Sequence, residues 1–329
     1  MKLSENWLRE WVDLSISSQD LSNQLTNLGL EVDSLVPAAG GFTDVIVGEV
    51  VAAVPHPNAD RLRCCTVDVG TSESLSIVCG GVNVRAGIKV AVALVGAILP
   101  GDFEIKPAKI RGEASKGMIC SAKELGIDDL DSVAGGILEL PSDAPIGVQI
   151  RDYFELDDNI IDIELTPNRG DCAGVMGIAR ELSVLNKVGM SVPYFEPSKS
   201  DGELSPAVTH KAVKACPRYT GRLISDVNLQ AATPLWMTEK LRRSGLRSIN
   251  PVVDVMNYVM LEYGQPMHAF DFDYLHGGLF VRMAEPGESI TLLDGSEIIL
   301  DKDSLVIADS RRPLALAGIM GGSDSAVTE

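Results

Sequence analysis

The sequence predicts an α+β protein of several domains, in which a small β-barrel is inserted into an α/β domain and a second α/β domain follows. Three observations lead to this prediction. Apolar residues recur with a helical period near the N-terminus and after residue 170, whereas residues 45–112 alternate with a period of two. A segment rich in Pro, Ser and Gly, residues 189–206, then separates this part from further helix and strand patterns.

The composition limits the function classes. The 329 residues carry a formal net charge of −18, which argues against indiscriminate nucleic-acid binding but leaves room for a local basic groove. The six cysteines form no CxxC pair, so we expect reduced thiols. Charged residues interrupt the N-terminal segment, and the longest apolar run is too short for a bilayer. We therefore expect a cytoplasmic protein with no membrane segment.

The first 40 residues predict two helices and a strand. Leu3 and Trp7 fall on one face of the first helix. Ser17 and Asp20 form a capping box at the start of the second helix, and Gly29 stands where a C-terminal glycine is expected. The next segment, LEVDSLVP, has the pattern of a strand.

Five strands are predicted in the following part of the chain, with Gly, Pro, Asn and Ser between them: 45–54, 63–70, 75–81, 89–99 and 104–112. Five short strands with glycine at their corners favour a small closed barrel, and the OB-fold is the natural candidate. Cys64 and Cys65 are neighbours on one of these strands and must point to opposite faces, so they cannot both face one metal ion. Small buried side chains are the favoured interpretation.

After the barrel, the segment NIIDIELTPNRGD predicts a strand and a sharp turn. Asp171 is expected to cap a helix whose apolar face runs from Val175 to Leu185. This strand–turn–helix would complete the layer begun by residues 1–40, which makes the barrel an insertion. The predicted domains are residues 1–40 plus 151–195, 41–150 and 205–329. The last residues, GIMGGSDSAVTE, do not resemble a finished terminus, so we expect a truncated chain.

Two histidines are candidates for chemistry. His56 stands between two prolines, and is either part of an ordered loop at the barrel rim or part of a rim that contacts a ligand. His268 follows a rigid turn made by Gly264 and Pro266, and its role is either structural or chemical. The glycine-rich segment CGGVNVRAG lacks the lysine and the spacing of a phosphate cradle, which favours a turn between strands.

A local excess of positive charge lies on the last predicted barrel strand and the loop after it. Its cations are Lys106, Lys109, Arg111 and Lys116, against Glu104 and Glu113. Such a cluster suits a nucleic-acid backbone. Lysines that guard a solvated strand edge produce the same pattern, so both interpretations remain open.

Several long segments of the chain resemble one protein family. HPNADRL and KIRGEASKGMICSAKELGI look like the tRNA-binding OB domain of several synthetases. Four further segments, in the family's order, resemble the β subunit of bacterial phenylalanine–tRNA ligase: MKLSENWLREWVDL, ELTPNRGDCAGVMGIAREL, NPVVDVMNYVMLEYGQPMHAFD and ALAGIMGG. The resemblance implies a class II, α2β2 enzyme that joins phenylalanine to tRNA(Phe) with ATP and Mg²⁺. It places the synthetic site in the α subunit, so this chain is not expected to charge tRNA or to hold a metal.

The resemblance also implies that the last domain is a B3/B4-type editing domain that hydrolyses tyrosine from tRNA(Phe). His268 matches the histidine of the family's editing pocket, and Asn257 matches a polar lining residue. The glycine-rich wall of that pocket corresponds to Gly318, Gly321 and Gly322. The glutamate that reads the tyrosine hydroxyl lies further along the family's sequence than Glu329, so the pocket is expected to be incomplete.

For tRNA, the resemblance indicates a set of residues on the barrel: Lys106, Lys109, Arg111, Lys116, Asn58 and Ser121. Two other interpretations stay open. The chain could serve only assembly and tRNA docking, without hydrolysis. A free-standing OB-type tRNA carrier would explain residues 41–150 but leaves the rest of the chain without a role.

Overall fold

The structure, a computed structural model, describes residues 1–127, 135–199 and 207–327. These residues form both helices and sheets that are antiparallel except for the β14–β15 pair, which confirms the predicted α+β class. The chain divides into two compact units. The first comprises Met1–Gly170, Ile178–Met190 and Leu235–Arg247, and the second comprises Asp171–Gly177, Ser191–Pro234 and Ser248–Glu329. Glu329 and the boundary at residue 205 lie outside the described residues.

Thirteen strands lie in the described residues of the first unit: β1 (Lys2–Ser4), β2 (Glu31–Pro37), β3 (Val45–His56), β4 (Ala59–Asp68), β5 (Leu75–Cys79), β6 (Lys89–Ala93), β7 (Ile98–Leu99), β8 (Phe103–Glu104), β9 (Ala108–Ile110), β10 (Glu113–Ser115), β11 (Met118–Ile119), β12 (Glu139–Leu140) and β13 (Asn159–Glu164). Its helices are α1 (Glu5–Trp11), α2 (Ser18–Asn27), α3 (Ile150–Tyr153), most of α4 (Val175–Asn186) and α5 (Leu235–Arg243). Short 3₁₀ turns occupy Lys123–Leu125 and Gly170–Cys172. Across the described helices of both units, none combines the length and the apolar character that crossing a lipid bilayer requires.

A three-stranded sheet in the order β1-β13-β2 forms the N-terminal layer. Leu3 belongs to β1, where it lies opposite Ile161, so its assignment to the first helix was wrong. The capping box is confirmed, because the Asp20 amide donates to Ser17 Oγ at 3.1 Å and the Ser17 hydroxyl donates to the Asp20 carboxylate at 2.7 Å. Strand β13 lies between β1 and β2, so the sheet joins chain segments on either side of the barrel.

Helix α4 departs from its prediction at both ends. Asp171 lies in the 3₁₀ turn Gly170–Cys172, four residues before the helix starts, and is therefore not its cap. Val175 and Leu182 are fully buried, whereas Leu185 is 44% exposed and does not belong to the buried face. The helical period was correct, but it extended the buried face one turn too far.

The barrel is a six-stranded antiparallel sheet in the order β11-β6-β3-β4-β5, with β12 also pairing with β6. The segment from β10 to β11 nearly closes it, since the Lys116 amide donates to the Ser76 carbonyl at 2.8 Å. The two cysteines alternate as predicted: Cys65 is 3% exposed and Cys64 is half-buried. Burial raises the pKa of the Cys65 thiol to about 11, so it remains a protonated core side chain.

Helix α5 belongs to the first unit, although its sequence falls within the predicted range 205–329. A buried ion pair holds it there: Arg243 Nη1 lies 2.8 Å from Asp158 Oδ2, with side-chain exposures of 5% and 0%. Asp158 also accepts hydrogen bonds from the Ser4 hydroxyl and the Asn6 amide, at 2.5 and 2.9 Å. Because a buried carboxylate requires such partners, this network ties α5 to the N-terminal layer.

In the part of the second unit that the structure describes, helix α6 (Pro251–Tyr263) and 3₁₀ turns at Phe272–Tyr274 and Ser323–Ser325 accompany seven strands: β14 (Val208–His210), β15 (Leu279–Met283), β16 (Ser289–Thr291), β17 (Glu297–Ile299), β18 (Leu305–Ala308), β19 (Pro313–Leu316) and β20 (Met320–Gly321). Five strands form a sheet in the order β14-β15-β18-β19-β20, and β16 pairs with β17 as a separate hairpin. Buried Val, Ile, Leu and Ala side chains make up its cores.

Polar contacts fix both ends of α6. At its start, the Asn250 side chain accepts from the amides of Val252 and Val253. The fully buried Asp254 accepts from Thr233 Oγ1 at 2.6 Å and from Ser248 Oγ at 2.5 Å. The helix ends at Gly264, which adopts a left-handed conformation with φ of 70°. This sharp end sets the direction of the segment that carries His268.

Candidate functional site

The His268 imidazole packs directly against the backbone of Gly321. A Cβ added to Gly321 would lie 2.5 Å from His268 Nε2, well inside van der Waals contact. Only glycine can therefore occupy position 321 while the ring stays in place. His268 lies after α6 and Gly321 lies in β20, so the fold of the second unit brings together two of the predicted site residues.

An aromatic neighbour holds the same ring from another side. The Phe270 ring makes an edge-on contact with it, with ring centroids 4.6 Å apart and an interplanar angle of 70°. The His268 residue retains an exposed surface, yet its ring is desolvated enough for burial to lower the pKa of the imidazole from its usual value. Desolvation disfavours the protonated form, so the ring is held neutral at neutral pH.

The two other glycines of the predicted wall have different roles. Gly318 forms the turn between β19 and β20 with φ of 73°, and a side chain there would meet open space. The Gly322 amide donates to the Leu314 carbonyl at 2.7 Å, so this N–H is not free to face a substrate. A Cβ at Gly322 would also lie 3.2 Å from Ile290 Cδ1, so glycine is needed there for packing.

Asn257 lies in the middle of α6 and is half-buried. Within the described part of the chain its amide side chain makes no hydrogen bond to another residue. The amide keeps its two donors and its acceptor for other groups. Of the predicted pocket residues, His268 and Gly321 are in direct contact. The role of Asn257 in the pocket stays a prediction.

The second group of predicted residues lies on the barrel, around the hairpin of β9 and β10. Its two-residue turn is Arg111-Gly112, with φ of 49° and 101°, as a type I′ turn requires. The exposed side chains of Lys109, Arg111 and Lys116 form no ion pair with any residue the structure describes. These three cations are thus available to an external anion.

His56 links this hairpin to the turn between β3 and β4. Its ring is 6% exposed, and its Nδ1 accepts the Asn58 amide at 3.0 Å. Because Nδ1 is an acceptor, Nε2 carries the proton and donates to the Ile110 carbonyl at 3.0 Å. Asn58 Nδ2 also donates to the Arg111 carbonyl at 3.3 Å. His56 is therefore a buried positioning residue, an alternative that its two flanking prolines had left open.

Besides Asn58, two further predicted tRNA-binding side chains already have partners. Lys106 Nζ lies 2.9 Å from Glu104 Oε2, in a pair whose side chains are 70% and 52% exposed. The Ser121 hydroxyl donates to Glu124 Oε2 at 2.8 Å and accepts from the Glu124 amide at 3.3 Å. Solvent screens the exposed lysine pair, so Lys106 can exchange its partner at little cost.

Two family models match the chain. A tRNA binding domain covers residues 45–149, and a B3/4 domain covers residues 215–329. These matches, together with the nearly closed barrel, confirm the predicted fold class.

Longer relatives cover the whole chain. It is 58% identical over 330 residues to the phenylalanine–tRNA ligase beta subunit of Pectobacterium atrosepticum, covering 100% of this chain and 41% of that protein. The beta subunit of Idiomarina loihiensis is 57% identical over 330 residues, with the same coverage of 100% and 41%. The chain thus spans about two fifths of the length of these relatives, 41%.

One solved structure is an N-terminal fragment of the phenylalanyl-tRNA synthetase beta subunit from Pyrococcus horikoshii. It is 16% identical and covers 53% of each chain, with a TM-score of 0.25, a likeness that supports no conclusion about the site. The evidence for kinship is the sequence identity, which extends over both domain matches and the segments between them. The chain therefore belongs to the family of phenylalanine–tRNA ligase β subunits.

Proposed function

We propose that this chain provides tRNA binding and hydrolytic proofreading to a class II phenylalanine–tRNA ligase, as the β partner in an α2β2 assembly in the cytoplasm. In this proposal the barrel, residues 41–150, contacts tRNA(Phe), and residues 205–329 contribute the editing cleft. The observation that carries the editing role is the packing of the His268 ring on the bare backbone of Gly321.

Proofreading is needed because the selectivity of the synthetic site for phenylalanine over tyrosine is limited. A pocket shaped for a phenyl ring cannot strongly reject tyrosine, which merely adds a hydroxyl group. A second pocket can require that hydroxyl through a hydrogen bond and then cleave the ester. The tyrosine on mischarged tRNA(Phe) is therefore the substrate class that this function calls for.

His268 would act on the water that cleaves the ester. A neutral imidazole offers one nitrogen as a hydrogen-bond acceptor, which orients a water molecule toward the carbonyl carbon. The water oxygen forms the new bond, the bond to the ribose oxygen breaks, and the ribose oxygen takes up a proton. Free tyrosine and uncharged tRNA are the products. The lowered pKa of His268 supports this role because the acceptor nitrogen stays unprotonated at neutral pH.

ATP and Mg²⁺ would serve the α subunit. The glycine-rich segment of this chain does not fit a nucleotide, because a Cβ on Gly81 would lie 2.6 Å from Ile137 Cγ2. Glycine is required there for packing rather than for phosphate approach. We therefore expect this chain to bind neither group and to be inactive in aminoacylation by itself.

The barrel would bind RNA through Lys109, Arg111 and Lys116, which make no ion pair with the residues the structure describes. Reversing Lys109 and Arg111 to Glu should weaken tRNA binding and flatten its dependence on salt, because fewer counterions are released. Fluorescence anisotropy with labelled tRNA at several salt concentrations measures both quantities. Unchanged binding would favour the edge-guarding interpretation of these lysines.

The editing role is tested by hydrolysis of tyrosine-charged tRNA(Phe) with the full-length β subunit and its α partner. The His268→Ala variant should lose hydrolysis while keeping phenylalanine charging. His276→Ala is the matched control, because this histidine lies in the same unit and contacts Arg311 at 3.1 Å. If His268→Ala hydrolyses normally, the chain is better described as a non-catalytic module for tRNA docking and assembly.

A further inference from the structure

A groove of about 550 Å³ opens on the barrel, in the first unit, beside the β9–β10 hairpin. Its lining combines buried apolar side chains, among them Ile119 and Ile137, with the exposed residues Phe103 and Lys106. Its volume falls in the range of small-molecule sites, and an apolar lining with a few polar groups is typical of them. None of its lining residues belongs to the candidate editing cleft.

Phe103 is the aromatic side chain of this groove. It lies in β8 of the small β7–β8 hairpin, opposite Leu99, and is 59% exposed. Aromatic residues are scarce in the chain, at 5%, and an exposed ring beside an apolar concavity forms a platform for another flat ring. A single exposed phenylalanine would carry no meaning by itself, but this one adjoins a recess and a cation.

The groove lining carries Lys106 and Lys123 against Glu104 and Glu124. The excess of positive charge comes from the adjoining β9–β10 segment, where Lys109, Arg111 and Lys116 stand against Glu113. Lys106 lies in the lining and is 70% exposed, and its only ion pair in the described part of the chain is the screened one with Glu104. Lys109 follows on β9, where its exposed ammonium has no acidic partner in residues 1–127, 135–199 and 207–327. An aromatic ring next to cations suits a ligand with a flat ring attached to a phosphate.

We propose that this groove holds an unpaired nucleobase of bound RNA, which stacks on the Phe103 ring while its phosphate lies beside Lys106. In a duplex both faces of each base are covered by neighbouring bases, so only a single-stranded or extruded nucleotide offers a free face. The inference rests on the proposed tRNA binding and adds to it that the barrel selects unpaired nucleotides. Duplex RNA contacts the cations but leaves the groove empty.

The test compares a short single-stranded oligoadenylate with a duplex RNA of the same length, both fluorescently labelled, by anisotropy with the 329-residue chain. Phe103→Ala should weaken single-strand binding by about fivefold or more, because stacking on the ring is lost. It should leave duplex binding unchanged. Phe103→Tyr preserves the platform and should bind like the unaltered chain.

Ile98→Ala is the matched control, since Ile98 is an exposed residue of the same hairpin, 44% accessible, and does not line the groove. It should bind both RNAs normally. Equal single-strand affinity of Phe103→Ala and the unaltered chain overturns the inference, as does an equal loss in Ile98→Ala. If the unaltered chain binds neither RNA, the proposed tRNA binding by the barrel fails as well, so the two failures are distinguishable.

Discussion

Gly321→Ala offers the sharpest test of the proposed editing cleft. The new Cβ would lie 2.5 Å from His268 Nε2, whereas ordinary contacts of a Cβ begin at 3.4 Å. The imidazole would therefore have to retreat by about 1 Å, and the edge-on contact with Phe270 would be disturbed. A displacement of about 1 Å in a group that positions reactants can cost about a hundredfold in rate.

The assay is single-turnover hydrolysis of tyrosine-charged tRNA(Phe) by the full-length β subunit with α. Gly321→Ala should slow hydrolysis by about two orders of magnitude and leave phenylalanine charging intact. Overpacking of this kind should also cost about 1–3 kcal/mol of unfolding free energy, which denaturant titration measures.

A neighbouring glycine supplies the control. A Cβ at Gly322 would lie 2.7 Å from the Leu314 carbonyl oxygen and away from the imidazole. Gly322→Ala should therefore lose comparable stability with a much smaller loss of hydrolysis. In a His268→Ala background, Gly321→Ala should cause no further loss, because the two residues act through one contact. Normal hydrolysis by Gly321→Ala alone would refute the reasoning.

Three further outcomes are expected. His56→Ala should lower the unfolding free energy by about 1–3 kcal/mol, because the Asn58 amide and the Ile110 carbonyl each lose a part-buried hydrogen bond to the ring; urea titration measures this, and an unchanged midpoint would contradict it. Arg243→Met should cost about 3–5 kcal/mol in the same assay, because it leaves a buried carboxylate without its cation. The pH dependence of hydrolysis should have its midpoint below 6.5, because burial lowers the pKa of His268 and the acceptor nitrogen is therefore protonated only at lower pH; a midpoint at or above 6.5 would contradict this.

Local patterns predicted much of the fold. The period of two located β3, β4 and β5 to within a few residues, and the Ser17 capping box marked the start of α2, because both signals depend on residues close in sequence. The predicted strand 89–99 was too long, since β6 ends at Ala93, and the predicted strand 104–112 divides into the end of β8 and β9, outside the six-stranded sheet. Leu3 was misassigned because its strand exists only through pairing with β13, more than 150 residues away. Likewise, nothing local indicates that Arg243 reaches Asp158, so the position of α5 could not be read from its own amphipathic pattern.

In the candidate sites, too, some features were indicated by the sequence, and others depend on contacts between distant residues. Family resemblance pointed to His268 and Gly321, and the fold explains why glycine is needed beside the ring. At Gly322 the N–H donates to the Leu314 carbonyl, a contact within the second unit that the glycine-rich pattern does not indicate. The hydrogen bond from His56 to the Ile110 carbonyl was equally hidden, because it depends on a hairpin more than 50 residues further along the chain.

The barrel also joins its own ends, which bears on how the chain folds. Val47 exchanges two backbone hydrogen bonds of 2.8 Å with Gly147 and Val148. Once the barrel has formed, the chain between β2 and β13 behaves as a tether of about 20 residues instead of about 120, which lowers the entropic cost of closing the N-terminal sheet by about 1.5 kcal/mol. During synthesis on the ribosome, β1 and β2 cannot form their sheet until β13, the strand between them, has been made. Formation of the barrel brings β13 close to β1 and β2.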